Sequence, residues 1–570
     1  MKKKVLIVSL FVVLLLLVLF IYNSNKTITL KNSYKKLTSN IQPNTEKKIK
    51  ISLNKKSDIV IDNIKSSNIN NHSFYLLEDE KGKIVSSGLL KDSSTLYNVD
   101  EGNYLLKIIS DGKNSINFDI KRSDIVTKEY AILEDGEIVR DKIFDYELEY
   151  NNPNIKSIKL AKQMDEKYRD SNHLVSSSKS KSDIYMWGEG DVLYFYSDVT
   201  IAFAENSSFI FSTLIDLIDI SDLRYFDFSN VKDASYMFSN DYNLSNIDAI
   251  ASFDTKNVID VENMFGSCYS LEDITPFIRF ANAPLRNMSS LFSKTKIDNI
   301  YLLKYFDISR VNKLDYMFEG TNISDLTPLK DWNTKSVISM SSMFSKTKIS
   351  NIDPLKDWDV SNVRSMSWLF EGCMNLDNIE ALKNWDTKSL YSFDEALKFT
   401  NVDNLDVLKN FKTDNLISFK GAFSETRNLK DISGIKDWNV KNIYDFSELF
   451  DKSSIEDISP IENWDVSSAE DFRSMFSHTK IKNLDSLKNW KVSNVKDFSE
   501  MFNNTKITNL SALKNWDIKS GEKFNSMFAN NSNLKDNSGI DGWTIQDKDK
   551  ILFESPKPTY NTLFDWCKYL

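Results

Sequence analysis

Cysteine and histidine are scarce in this 570-residue sequence, with three of each. His72, His173 and His478 lie far apart in polar surroundings, so neither the ligand spacing of a zinc site nor a serine–histidine pair is visible. There is no Walker loop, no G-x-G-x-x-G and no paired-cysteine motif. Fifteen glycines and nine prolines are too few for collagen-like or wholly disordered material. Positive charge is also short: the net charge is -9, and no basic stripe offsets it, which disfavours a phosphate backbone as partner. These absences point away from catalysis, from metals or other cofactors, and from nucleic acid.

The composition can still build a core, since 41% of the residues are hydrophobic and 27% charged. The length exceeds what one core serves, so several domains or a repeat array is expected. Lys2, Lys3 and Lys4 precede an uncharged run of 18 residues, Val5 to Tyr22, enough to cross a hydrocarbon layer of roughly 30 Å. Residues 1–28 therefore read as a transmembrane signal-anchor. A cleaved signal peptide is the rival, but the run ends in Leu-Phe-Ile-Tyr without a small-x-small site. Retention of the lysines in the cytoplasm would place the remainder outside the membrane.

After a linker at 29–47, residues 48–122 alternate apolar and polar in short runs such as IKISL, DIVIDNI and NYLLKIIS, broken by Asp79-Glu80-Lys81-Gly82 and Asp111-Gly112-Lys113. That pattern predicts a small all-β sandwich. Residues 123–182 are polar and mixed, ending in the serine-rich run 176–182, and read as a connector with a flexible end. The repeat region occupies 183–543.

Its period is exposed by one anchor position: Phe238, Phe265, Phe292, Phe318, Phe344, Phe370, Leu397, Phe423, Phe450, Phe476, Phe502 and Phe528 follow one another at 26 or 27 residues. Such a period signifies stacked turns. Apolar residues seven, four and one before the anchor, such as Val363, Met366 and Leu369, trace one face of a helix. The residue eight before is mostly Asn or Ser, as in Asn362 and Asn442, which fits a helix N-cap. After the anchor, Ile349, Ile352, Leu355 and Trp358 come three apart; this half should carry the strand, with a 3₁₀ segment as the rival. The Trp position recurs, predicting a wall of stacked aromatics.

Three residues past the anchor stands a small hydrogen-bonding residue, Thr in most turns and Cys at 268 and 373. A buried ladder there would satisfy backbone groups that otherwise cost about 1 to 3 kcal/mol each. The two cysteines, four turns or about 19 Å apart, cannot bridge, since a disulfide needs Cα atoms within about 7 Å. A degenerate turn at Phe211 reads as the N-terminal cap of the array, and the aromatic-rich 544–570 as the C-terminal cap.

The stretch from Trp358 to Leu382, WDVSNVRSMSWLFEGCMNLDNIEAL, with its W-D-x-S-N-V, L-F and G-C-x-x-L elements, resembles the repeat of BspA-like leucine-rich-repeat bacterial surface proteins. The resemblance implies an α/β solenoid of the leucine-rich-repeat type, a cell-surface location, and adhesion or recognition of a host protein or glycan. An envelope scaffold for other bacterial proteins is the competing function. Two residues before the anchor, on the side a helix would turn to water, stand Tyr236, Tyr316 and Trp368, the candidate binding residues.

Overall fold

The structure, a computed structural model, describes residues 27–29, 45–53, 57–66, 73–90, 94–99, 102–110, 116–123, 129–144 and 154–543. The expected membrane anchor lies outside these residues except at its last two positions, and the expected C-terminal cap lies wholly outside them. No helix among the described residues is long and apolar enough to cross a membrane. The chain divides into two compact units, Met1–Arg286 with Thr295–Asp307, and Asn287–Lys294 with Ile308–Leu570.

The first unit opens with strands β1 (Thr27–Thr29), β2 (Thr45–Leu53), β3 (Ser57–Ser66), β4 (Phe74–Glu78), β5 (Ile84–Leu89), β6 (Ser94–Val99), β7 (Gly102–Ser110) and β8 (Ile116–Ser123). They form a five-stranded sheet in the order β1-β2-β7-β4-β5 and a three-stranded sheet in the order β6-β3-β8. All pairs are antiparallel except β1 with β2. Alternation along each strand sends Ile49, Ile51, Tyr75, Leu77, Leu106 and Ile108 from the first sheet, and Ile59, Ile61, Val99 and Ile120 from the second, into one apolar cluster.

The described residues of the expected connector, 129–144 and 154–182, are folded, where the sequence reading of 123–182 expected a connector with a flexible end. β9 (Tyr130–Ile132), a helix at Gly136–Ile143, β10 (Ser157–Leu160), β11 (Tyr185–Glu189), β12 (Val192–Tyr196) and β13 (Thr200–Ala202) precede the first repeat turns. β10 pairs parallel with β12, and β12 antiparallel with β11. Parallel bridges Ser157–Asp219, Ala202–Asp227 and Asn206–Asp233 then join this layer to the array, so the first turn does not leave an unpaired backbone edge. Even the serine-rich end is tied in: Ile132 N–H donates to Ser180 Oγ at 2.9 Å and Ser177 N–H to Ile132 O at 2.8 Å. Its polar composition serves turns instead of disorder.

Regularly spaced turns run through both units, and their internal structure departs from the expectation of one helix each. Among the described residues the one α-helix is Gly136–Ile143, and the segment before each anchor is a string of tight turns. In the turn anchored at Phe370, the N–H groups of Met366, Trp368, Phe370 and Gly372 donate to Ser392, Asp394, Ala396 and Lys398 of the next turn, at 2.7–3.1 Å. The intervening N–H groups of Leu369, Glu371 and Cys373 bond back three residues within their own turn. Parallel bridges Ser339–Ser365–Ser392–Ser418 fall in this half, so strand-like pairing sits where a helix was expected. The reason is backbone geometry. Residues two before and two after the anchor take positive φ, as at Trp368 (56°) and Gly372 (73°), which an α-helix at φ near -63° does not contain. The other half carries the 3₁₀ segments, such as Asp353–Leu355 and Glu380–Asn384, the rival to the expected strand.

The anchors build the core. Phe423, Phe450, Phe476, Phe502 and Phe528 stack in succession with ring centroids 5.6–5.9 Å apart and planes within 17°. Offset stacks in this range add about 0.5–1.5 kcal/mol each beyond burial. The second aromatic column is also present: Trp332 and Trp358 lie 6.2 Å apart at 10°, and the Trp358 indole N–H donates to Leu329 O of the preceding turn at 3.0 Å.

Candidate functional site

Most recurring polar groups of the array are used inside it. The Asn or Ser eight before the anchor does not cap its own segment; Asn362, Asn442 and Asn494 donate their side-chain N–H to Lys335, Asp414 and Ser467 O of the preceding turn, at 2.7–2.9 Å. The chemistry expected there, a side chain completing a backbone group, is retained, but the group is a carbonyl of the neighbour. The ladder three past the anchor holds Thr321, Thr347 and Thr479, whose hydroxyls donate to Phe318, Phe344 and Phe476 O at 2.7–2.8 Å. Cys268 and Cys373 occupy the equivalent repeat position as free buried thiols, donating to Phe238 and Phe344 O. Burial pushes the Cys373 thiol up to about 12, so it remains a protonated donor. Recurring carboxylates close local turns, as where Asp359 Oδ1 accepts Ser361 N–H at 3.0 Å.

The three candidate residues occupy the same repeat position, all at positive φ: 59° at Tyr236, 57° at Tyr316 and 56° at Trp368. Tyr236, in the first unit, is taken up locally. Its ring stacks on Phe209 at 4.4 Å and its hydroxyl donates to Glu262 Oε1 at 2.8 Å. Burial and the adjacent Glu262 carboxylate push its pKa up to about 12. In the second unit Tyr316 is exposed and Trp368 half-buried, two turns apart with the buried Ser342 in the turn between. The column is therefore not a continuous aromatic patch.

A different column is continuous. Six residues before the anchor stand Ile338, Tyr391, Ile417 and Tyr444, with relative exposures of 44, 48, 38 and 48%, and Arg364 lies between the first two. Backbone bonds run directly down it: Arg364 N–H to Ile338 O, Tyr391 to Arg364, Ile417 to Tyr391 and Tyr444 to Ile417, at 2.8–3.1 Å. Neighbouring side chains are thus one turn apart, about 4.8 Å. Beside the column runs a ladder of small hydroxyls, with Ser341 Oγ to Ser365 Oγ and Ser367 Oγ to Ser392 Oγ each at 2.6 Å, ending where Ser392 and Ser418 donate to Asp394 at 2.8 and 2.6 Å.

The family described as "Mycoplasma protein of unknown function, DUF285" matches residues 202–322, 286–411 and 417–543, more than half of the chain. The chain belongs to the DUF285 family. No curated protein and no solved structure matches it.

The DUF285 turns hold one histidine, His478. His478 Nδ1 lies 2.7 Å from Ser477 Oγ and 3.4 Å from Asp451 Oδ1, so serine and carboxylate compete for one ring nitrogen instead of flanking the imidazole, as proton relay to a nucleophile requires. Among the described residues no group of three or more His, Cys, Asp or Glu could hold a metal ion. An open depression of about 630 Å³ is walled by Asp377, Glu380, Asp403, Asn401, Asn428 and Lys430, and its Asn428 and Asn401 amides already bond each other at 2.6 Å. The sequence reading missed the exposed column, although a signal was present. DUF285 turns elsewhere place Lys232, Ile259, Arg286, Asn312, Glu470, Lys496 or Glu522 at that offset, marking it as a mostly polar solvent position where Ile and Tyr stand out.

Proposed function

We propose that this DUF285 chain is a bacterial cell-surface binding protein, acting in adhesion or in recognition of a host protein or glycan, and that it is not an enzyme. In this reading the array is of the leucine-rich-repeat type, residues 48–122 form a β-sandwich module, and the N-terminal hydrophobic run anchors the chain with its repeats outside the membrane. The observation that carries the reading is the exposed column Ile338, Tyr391, Ile417 and Tyr444. Contiguous exposed apolar side chains, as at Tyr391, Ile417 and Tyr444, favour a partner over solvent. Tyr316 and Trp368 add aromatic side chains in a second column, on the turns anchored at Phe318 and Phe370.

The test is binding of the full chain to immobilised host extracellular matrix, set against binding to an envelope extract of the producing bacterium. Saturable binding to matrix supports adhesion. Binding to the envelope extract alone overturns it in favour of a scaffold that organises other surface proteins.

A further inference from the structure

We propose that His478 is an acid-operated clasp between the turns anchored at Phe450 and Phe476: once protonated, its Nδ1–H leaves Ser477 Oγ and donates to Asp451 Oδ1. The clasp is independent of the surface-binding reading above.

Its parts lie in the second unit, one turn apart. The backbone N–H of Lys452 donates to Ser477 O and that of His478 to Asn503 O, each at 2.8 Å, so Asp451, Ser477 and Asn503 hold one repeat position and Lys452, His478 and Asn504 the next. Asp451 is 8% exposed, and its Oδ1 is buried without a hydrogen-bond partner. A buried acceptor left unmet is costly, more so when it is charged. His478 Nδ1 stands 3.4 Å from that oxygen and 2.7 Å from Ser477 Oγ. In the neutral ring Nδ1 shares one neutral hydrogen bond with the hydroxyl. In the imidazolium both ring nitrogens are donors, and the carboxylate is the stronger acceptor. A movement of about half an ångström would bring Nδ1 to roughly 2.8 Å from Oδ1, the length of a charge-assisted bond. The step takes up one proton from solvent and releases none.

The surrounding charges leave this place open. Glu425 accepts from Lys452 Nζ at 2.5 Å and from Arg427 Nη2 at 3.0 Å, and Lys452 Nζ lies 3.4 Å from Asp451 Oδ2. Two carboxylates and two cations therefore balance, but Lys452 takes one oxygen of Asp451 and leaves the other to His478. Against burial, the Asp451 and Glu425 carboxylates hold the Lys452 pKa above its ordinary value, so Lys452 stays charged throughout the range in which histidine side chains titrate. From the following turn His478 meets Asn503 and Asn504, with Glu500 Oε2 accepting from the Asn503 amide at 3.3 Å. Its own turn carries Arg473, paired with Glu448 at 3.5 Å, and the exposed Lys480. Solvent screens Lys480, whereas the Asp451 carboxylate is buried and acts at short range.

The imidazolium gains this partner only in the folded chain. The added stability is therefore present in acid and lost as pH rises and the ring gives up its proton, across roughly pH 5 to 8.

Native-state hydrogen exchange on the full chain tests the clasp, read as the ratio of variant to parent rates in residues 446–479 at each pH. The array itself supplies tolerated substitutions. Asn504 and Asn530 hold the His478 position, with φ of 52° and 61° against 58°, and Asn503 and Ala529 hold the position of Asp451 and Ser477. For His478→Asn the ratio should be about threefold larger near pH 5.5 than near pH 8, the scale of a part-exposed ion pair. In an Asp451→Asn background the same comparison should give a ratio that does not change with pH. Ser477→Ala removes the competing hydroxyl and should leave the acid effect of His478 in place. A ratio for His478→Asn that is equal at both pH values overturns the proposal, and so does a pH dependence that survives Asp451→Asn.

Discussion

Arg279 Nη1 donates to Tyr75 Oη at 3.1 Å, joining the third repeat turn to strand β4 across 204 residues of sequence. The same nitrogen reaches Ser86 Oγ at 3.3 Å and Ser87 O at 2.8 Å, while Nε donates to Phe253 O. Arg279 is only 6% exposed, and every one of these acceptors is neutral. Gly88, paired with Tyr75 across β4 and β5, makes room for the arrangement, since a Cβ there would stand 2.9 Å from the tyrosine hydroxyl oxygen. Ser87 Oγ donates to Ile278 O at 2.7 Å, so the contact is two-sided.

Removal of that guanidinium should loosen the junction without melting the array. Arg279→Met would leave Tyr75, Ser86 and Ser87 without their donor, at about 2 kcal/mol or more for bonds to a charged group. Hydrogen exchange should rise in residues 73–90 and stay unchanged in turns beyond residue 308. Unaltered exchange in 73–90 would show that packing alone holds the junction.

The phenylalanine column should be sensitive to volume and tolerant of shape. Phe476 is fully buried between Phe450 and Phe502, at 5.9 and 5.7 Å. Phe476→Ala should lower unfolding free energy by about 3–5 kcal/mol. Phe476→Leu should cost clearly less, because Leu397 fills the equivalent position in its own turn while fully buried. Denaturant titration of both variants reads the difference, and equal losses would contradict equivalence of the two sites.

Positive φ predicts a gain from glycine. Ser474 has φ of 56°, a conformation costing an L-residue roughly 1–2 kcal/mol, and its N–H donates to Ser499 O at 2.9 Å through the backbone alone. Ser474→Gly removes the steric cost against a backbone-entropy loss of roughly 0.5–1 kcal/mol, so stability should rise by about 0.5 kcal/mol. Ser474→Val, branched at Cβ, should destabilise. A melting temperature that falls with glycine would contradict this account of the turn.

Asp241 gives the first repeat turns a pH dependence. It is fully buried, its Oδ1 accepts Leu214 N–H at 2.8 Å, and burial raises its pKa well above the ordinary value. A raised folded-state pKa means that its contribution to stability is complete below the unfolded pKa, near 4, and is lost as pH rises through the folded value. Asp241→Asn retains an oxygen acceptor for Leu214 but does not ionise. Its melting temperature relative to the parent should therefore increase with pH above about 4. A difference independent of pH would mean that Asp241 keeps the same protonation state throughout.

Much of the array is legible in sequence because one inward direction recurs. The 26- or 27-residue spacing, the Phe and Trp columns and the Thr ladder all express the rule that a buried position must be apolar or locally hydrogen-bonded. Inward offsets of seven, four and one were equally real. They did not distinguish a helix from tight turns closed by bonds three residues back, since both return side chains to one face after three or four residues.

Stacking decided that question. Alternate N–H groups at Met366, Trp368, Phe370 and Gly372 find carbonyls on the following turn, and a lone turn has no such acceptors to offer. For the same reason Asn362 could be read as a group that completes a backbone, but not as one serving Lys335 of its neighbour. Arg279 and Tyr75 are further still from prediction: composition marks neither as special, and only the packing of β4 and β5 against residues 275–280 makes a buried arginine satisfied. Period, inward columns and polar ladders are written residue by residue, because these depend on what each turn buries. Backbone pairing, the covered first edge and the junction at Arg279 depended on partners distant in the chain, and tertiary structure alone supplied them.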